Sequence, residues 1–266
     1  MKLFSDEKVN GGRQLELDIA KCLAIVFMIA LHCWFLTSYF DYNVSAGMQR
    51  IVGHLLGGPF AAPVFMFAMG VGIVYSKHQE PFYLIKRGIL LMLLGLVVNL
   101  GEYFVPHYLG KALLGKDVFA LPTYLYLFII DILAFAGMAF ILIGILKKLN
   151  ASPIGIVVVA IILSRVGSLV RFYDFKSEIP NLISGYFIGS RGGFTAFPLF
   201  NWFIFPAVGI LFGEYYKRCT DKKKLLCLWP VALFVSVEYF VNSWNGGFLQ
   251  DDIHYYYFLT TKDALF

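Results

Sequence analysis

Charge is what this sequence has little of: Asp, Glu, Lys and Arg make up 15% of its 266 residues. A soluble domain carries about a quarter. With 59% hydrophobic residues, the chain reads as a polytopic membrane protein with no sizeable soluble domain left over. Cysteine is sparse as well, and the four present show no metal-ligand spacing. Cys22 and Cys33 lie too far apart along one helix to bridge. Cys219 and Cys227 flank a Lys-rich stretch expected in the reducing cytoplasm. No Gly-rich phosphate loop opens a helix and no nucleophile elbow is present, so neither motif assigns a chemistry. There is no clear internal repeat, which counts against a transporter built from two related halves. No cleavable signal peptide is present, because the first apolar run is too long and lacks a small-residue cleavage site. The net charge of +5 does not point to nucleic acid, since the Lys and Arg residues sit in short connections where they orient helices.

What is present begins with LELDIAKCLAIVFMIALHCWFL, residues 15–36, an apolar run long enough to cross a bilayer. Six further spans are expected near residues 52–75, 84–104, 123–146, 153–170, 198–216 and 225–241. The fold class is therefore all-α, a polytopic membrane helical bundle of about seven transmembrane helices. Residues 1–14 form a leader, residues 15–243 the membrane domain and residues 244–266 a tail. The second span, with GGPFAAPVFMFAMGVG, is rich in the small residues that let helices approach closely. Residues 105–122 read as a partly amphipathic loop. Residues 171–198, Gly- and aromatic-rich, read as an interfacial or re-entrant connection. Most Lys and Arg residues fall on segments that are cytoplasmic if the N-terminus is cytoplasmic, which supports that orientation and an extracytoplasmic tail.

Polar residues inside apolar spans are costly and are functional candidates by default. Lys21 and His32 stand eleven residues apart on the first span. That spacing puts them on one face, about 16 Å apart along the axis. Lys21 also suits snorkelling to the headgroups, and His32 also suits inter-helix hydrogen bonding. With the N-terminus inside, His32, His54, Glu102, Asp131, Arg165 and Glu238 all fall toward the outer side. Together they suggest a polar cavity opening outward, with Lys21 beneath it. Asp131 and Arg165 sit at similar depth and could instead neutralise one another. A histidine titrating near neutrality suits a general base or an acyl carrier. A proton relay in a transporter would use the same residue types.

The first span also carries a family resemblance. RQLELDIAKCLAIVFMIALH resembles the opening of the transmembrane acyltransferase superfamily, which includes the acyltransferase-3 family and the heparan-alpha-glucosaminide N-acetyltransferase catalytic family. Arg13, Leu17-Asp18, Lys21, Leu23-Ala24-Ile25 and His32 stand in the positions that carry it. APVFMFAMGVGIVYS with KRGILLMLLGLVVNL resembles the second and third spans, and FPLFNWFIFPAVGILFGEYY, with Gly209 and Gly213, a later one. The resemblance implies transfer of an acyl group, usually acetyl, from cytoplasmic acyl-CoA to an extracytoplasmic glycan or other cell-envelope acceptor. Acyl-CoA would be a co-substrate, with no tightly bound cofactor and no metal. By position, His32 would be catalytic and Lys21 would engage acyl-CoA, with Lys86 and Arg87 attracting it further. Lys21 stands where acyltransferase-3 members carry Arg, and Cys22 where they carry Gly. The family usually has about ten spans, so this chain is expected to be a fragment or a short version. Two other readings remain: a transporter of a small polar solute, and a non-catalytic membrane partner that keeps the family's helices.

Overall fold

The computed structural model describes residues 3–40, 56, 60–115, 127–170, 173–189, 195–227, 230 and 234, with residues 34–40, 114 and 226 described by backbone alone. The described residues are helical, with no strand among them and two isolated bridges, Phe4 to Cys219 and Ile130 to Thr195. The chain divides into two compact units; of the described residues, the first takes those up to Lys77 and again from Phe205, and the second those from His78 to Ile204.

The first unit contains α1 (Leu15–Phe40), α2 (Ala62–Tyr75), nearly all of α9 (Ile204–Arg218) and the short α10 (Lys222–Leu226). α1 is uninterrupted for 26 residues, as a run of straight-chain and apolar residues without Gly or Pro favours. α2 and α9 meet through glycine. A Cβ at Gly70 would collide with the Pro206 carbonyl, and one at Gly209 with the Phe67 carbonyl. At Gly213 a Cβ would lie 3.1 Å from Val74 Cβ. Gly209 and Gly213, four apart, thus form one smooth stripe against which α2 lies backbone to backbone. The described part of the small-residue stretch, residues 60–72, is a packing surface, as its composition suggests.

The second unit contains α3 (Pro81–Asn99), a π-helical turn (Leu100–Phe104), α4 (Val105–Leu114), α5 (Ile132–Lys148), α6 (Pro153–Val170), α7 (Glu178–Ile188) and α8 (Leu199–Trp202). Here too glycines seat one helix in another. A Cβ at Gly88 would reach within 2.7 Å of Ile141 Cγ1, and one at Gly137 within 2.7 Å of the Gly88 carbonyl. α5 is buried over most of its circumference, with Phe135, Ala139 and Ile143 fully enclosed.

Two helices of the described residues are long and apolar enough to cross a membrane by length and composition, Pro81–Leu113 and Pro153–Val170. The second coincides with the expected span. The first exceeds it: residues 105–114 do not form a loop but continue the rod through the π turn, giving 33 residues. α4 stops where Gly115 turns left-handed (φ 64°) and its N–H reaches back to the Lys111 carbonyl at 3.0 Å, the usual glycine stop. The expected span at 123–146 differs as well, since α5 begins only at Ile132. Of the expected span at 52–75, Ala62–Tyr75 is a described helix.

Candidate functional site

In the first unit, polar groups collect at the start of α1. The leader lies on the segment that follows α9. Ser5 N–H donates to the Arg218 carbonyl at 2.8 Å, Asn10 N–H to Lys217 at 2.9 Å, and Thr220 N–H to Leu3 at 3.0 Å. The leader and the Lys-rich stretch therefore occupy the same side. Glu16, in the first turn of α1, accepts from Lys222 Nζ at 2.8 Å and from the Tyr216 hydroxyl. Lys222 also donates to Gln14, and its ammonium lies 5.2 Å from the Tyr216 ring centroid. Lys217 is buried; it donates to the Val74 carbonyl and sits 4.8 Å from the Tyr75 ring centroid. It thereby places a cation at the C-terminal end of α2, where the helix dipole favours one. Lys217 stands one residue past the expected span. Burial, then the Lys8 charge, hold its pKa below the ordinary lysine value, with Glu214 opposing them. The Tyr75 hydroxyl is buried and has no hydrogen-bond partner.

Lys21 adjoins this cluster. It is half-buried, and its Nζ would lie 3.8 Å from a Cβ placed on Gly72, so the ammonium rests beside the last turn of α2. His32 lies on the same uninterrupted helix and within about 20° of Lys21 around its axis. It is exposed, so no aliphatic packing walls off its imidazole.

The remaining predicted residues that are described belong to the second unit. Lys86 and Arg87 are neighbours on α3 and both exposed; the Arg87 guanidinium carbon lies 4.8 Å from the Phe140 ring centroid, a cation–π distance. Glu102 is exposed in the π turn and hydrogen-bonded with Tyr103, on which Asp131 also acts. Asp131 is not inside the fourth span, as expected, but caps it. Its Oδ1 accepts from Ile132 N–H at 2.7 Å, because a short acceptor side chain satisfies an N–H that a helix start leaves unpaired. Asp131 and Asn99 line a small cleft with Gly95, Val98, Ile129 and Leu133. Asn99 holds the approach to α5, donating to the carbonyls of Leu127 at 3.0 Å and Ile129 at 2.9 Å. Arg165 is exposed on α6, and no ion pair joins it to Asp131 among the described residues.

The structure thus brings Asn99, Glu102, Tyr103 and Asp131 together at one end of the second unit, and leaves Arg165 outside that group. His54 and Glu238 lie outside the described residues. Among the described residues no group of His, Cys, Asp and Glu is arranged to hold a metal ion, and the four cysteines are free thiols. Sequence reasoning missed Glu16, Tyr216, Lys217, Lys222 and Asn99. The acidic first turn of α1 and the tyrosine–lysine run ending α9 were the available signals, and neither says which partner it meets.

A family model, heparan-alpha-glucosaminide N-acetyltransferase, catalytic, matches residues 13–243. The chain belongs to that family, an acetyltransferase family. No curated protein and no solved structure matches it.

Proposed function

We propose, from membership of that family, that the chain is a membrane-bound acetyltransferase. It would take an acetyl group from cytoplasmic acetyl-CoA, a co-substrate, and deliver it to a hydroxyl or amine of an extracytoplasmic glycan or other cell-envelope acceptor. In this reading it is a multi-pass protein of the plasma membrane with about seven spans and a cytoplasmic N-terminus. Lys21, with Lys86 and Arg87, attracts the CoA phosphates. Glu102, Asp131, Arg165, His54 and Glu238 shape the acceptor side.

The observation that carries the reading is the shared stripe of Lys21 and His32 on one unbroken helix. A cation at the donor end and an imidazole about 16 Å further along suit a substrate whose anionic end and reactive thioester are joined by a long arm. The imidazole can act in two ways. As a general base it accepts the acceptor's proton while the acceptor oxygen or nitrogen attacks the thioester carbonyl; the C–S bond then breaks and the imidazolium gives that proton to the departing CoA sulfur, which leaves as thiol. As an acyl carrier its nitrogen attacks the thioester carbonyl and displaces CoA. The acceptor then attacks the acetyl-imidazole, and the imidazole is regenerated.

The test is purified full chain in proteoliposomes with labelled acetyl-CoA and a glycan acceptor. His32→Ala should lower the rate by about 10²- to 10⁴-fold. Equal product from wild type and variant would show that His32 has no such role. Solute accumulating in the liposomes without acetyl-CoA would favour a transporter instead.

A further inference from the structure

Arg165 is a charge that the fold leaves without a protein partner. It is the sole charged residue of α6, and among the described residues no hydrogen bond or ion pair reaches it. α6 buries one stripe, Ile156, Ala160, Ser164 and Gly167, and Gly167 packs on α8. It exposes another, Val158, Ile161, Ile162, Val166 and Leu169. At 3.6 residues per turn Arg165 falls within the exposed stripe and nearly opposite the buried one, and it is itself exposed. It therefore faces away from the helix on which α6 packs. The 18 residues of α6 make a rod of about 27 Å, close to the roughly 30 Å of a hydrocarbon core. Arg165 lies near its far end, about 7.5 Å before Val170. Just beyond that end Tyr173 and Phe175 are exposed and meet edge to face, with Asp174, Lys176 and Glu178 exposed among them. Exposed aromatics at the end of a span mark the level of the membrane–water interface. From the depth of Arg165 a guanidinium reaches that level along its own apolar stem.

We propose that Arg165 binds the phosphate of a phospholipid whose acyl chains lie along the exposed stripe of α6. A guanidinium presents paired N–H donors that fit two phosphate oxygens. The side chains around it are aliphatic and complement hydrocarbon, so one lipid satisfies both parts of this surface. A cation on a lipid-facing stripe is costly without an anion, and the lipid phosphate supplies the anion that Asp131 does not. In the proposed orientation this end of α6 is extracytoplasmic, so the lipid belongs to the outer leaflet. Arg165 then acts on the acceptor side through a lipid. The assignment goes beyond the acetyltransferase reading: it rests on the multi-pass membrane placement in that reading and on no step of acetyl transfer.

The experiment is photolabelling of the full chain in proteoliposomes. The probe is phosphatidylglycerol with a diazirine near the start of one acyl chain, and the readout is mass spectrometry of the α6 peptide. Diacylglycerol with the same chains is the phosphate-free probe. Phosphatidylglycerol should label wild-type α6, and Arg165→Leu should lower that labelling by about tenfold or more. Arg165→Lys, which keeps the charge and loses the planar fork, should fall between the two. Diacylglycerol should label wild type and Arg165→Leu alike, and more weakly than phosphatidylglycerol labels wild type. If Arg165→Leu does not fold, Arg165→Lys carries the comparison. Phosphatidylglycerol labelling that is equal in wild type and a folded variant overturns the assignment. So does the absence of α6 labelling by either lipid, the result expected if a second copy or another protein covers this face. Labelling that free inorganic phosphate abolishes overturns it as well, because the site would then take an anion without its chains. Acetylated product from wild type together with any of those results leaves the acetyltransferase reading standing. Arg165-dependent labelling without acetylated product does the reverse.

Discussion

At the scale of single residues, the chain separates charges that are satisfied from charges that are available. Glu16, Lys222 and Tyr216 satisfy one another, whereas His32 is exposed without such a knot. A water-soluble, membrane-impermeant histidine reagent should modify His32 in proteoliposomes, as read by mass spectrometry of the peptide. If the residue stays unmodified while loop histidines react, its imidazole faces hydrocarbon and the proposed chemistry has no site. Asp131→Ala should cost about 1 kcal/mol of stability through the lost cap with little change in acetyl-CoA KM; chemical denaturation and kinetics read the two separately. Lys217 gives a pH signature. Its amine titrates below the ordinary lysine value when folded, so the unfolded chain binds the extra proton between the lowered value and about 10.5. Stability contributed by this group therefore rises with pH through that window. Lys217→Met should flatten the slope in melting temperature against pH.

At the scale of elements, helices were legible where hydropathy and punctuation agree. Pro153 opens α6 and the apolar run carries it to Val170, matching the expected 153–170. Hydropathy is blind to caps, so the run around 123–146 hid the boundary at Asp131. It also undervalues amphipathic continuation, which is why α4 read as loop. Lys21 and His32 stood out because a charge in an apolar run is a local anomaly. The Glu16–Tyr216–Lys222 knot did not, because a pairing across some 200 residues leaves no local periodicity to detect. The glycine seams also belong to this scale. Gly209→Leu should drive a side chain into the Phe67 carbonyl and destabilise the first unit by about 1–3 kcal/mol or more. Gly11→Leu, with open space around it, is the control for the same thermal melt.

For the whole molecule, the first unit is discontinuous in sequence, its two parts separated by residues 78–204. Ser5, Asn10 and Thr220 join the leader to chain made more than 200 residues later. During synthesis residues 78–204 of the second unit are thus made before the leader's partners exist, and nascent chains form structure as their segments emerge. The leader must wait, with its amides unpaired, while α3 and α5 are already free to find each other. Ribosome-stalled chains ending near Lys148 should show a protease-sensitive leader, and chains extended well past Leu226 a protected one. Biogenesis of this protein then has a built-in last step, the fastening of its first-made residues onto one of its later-made segments.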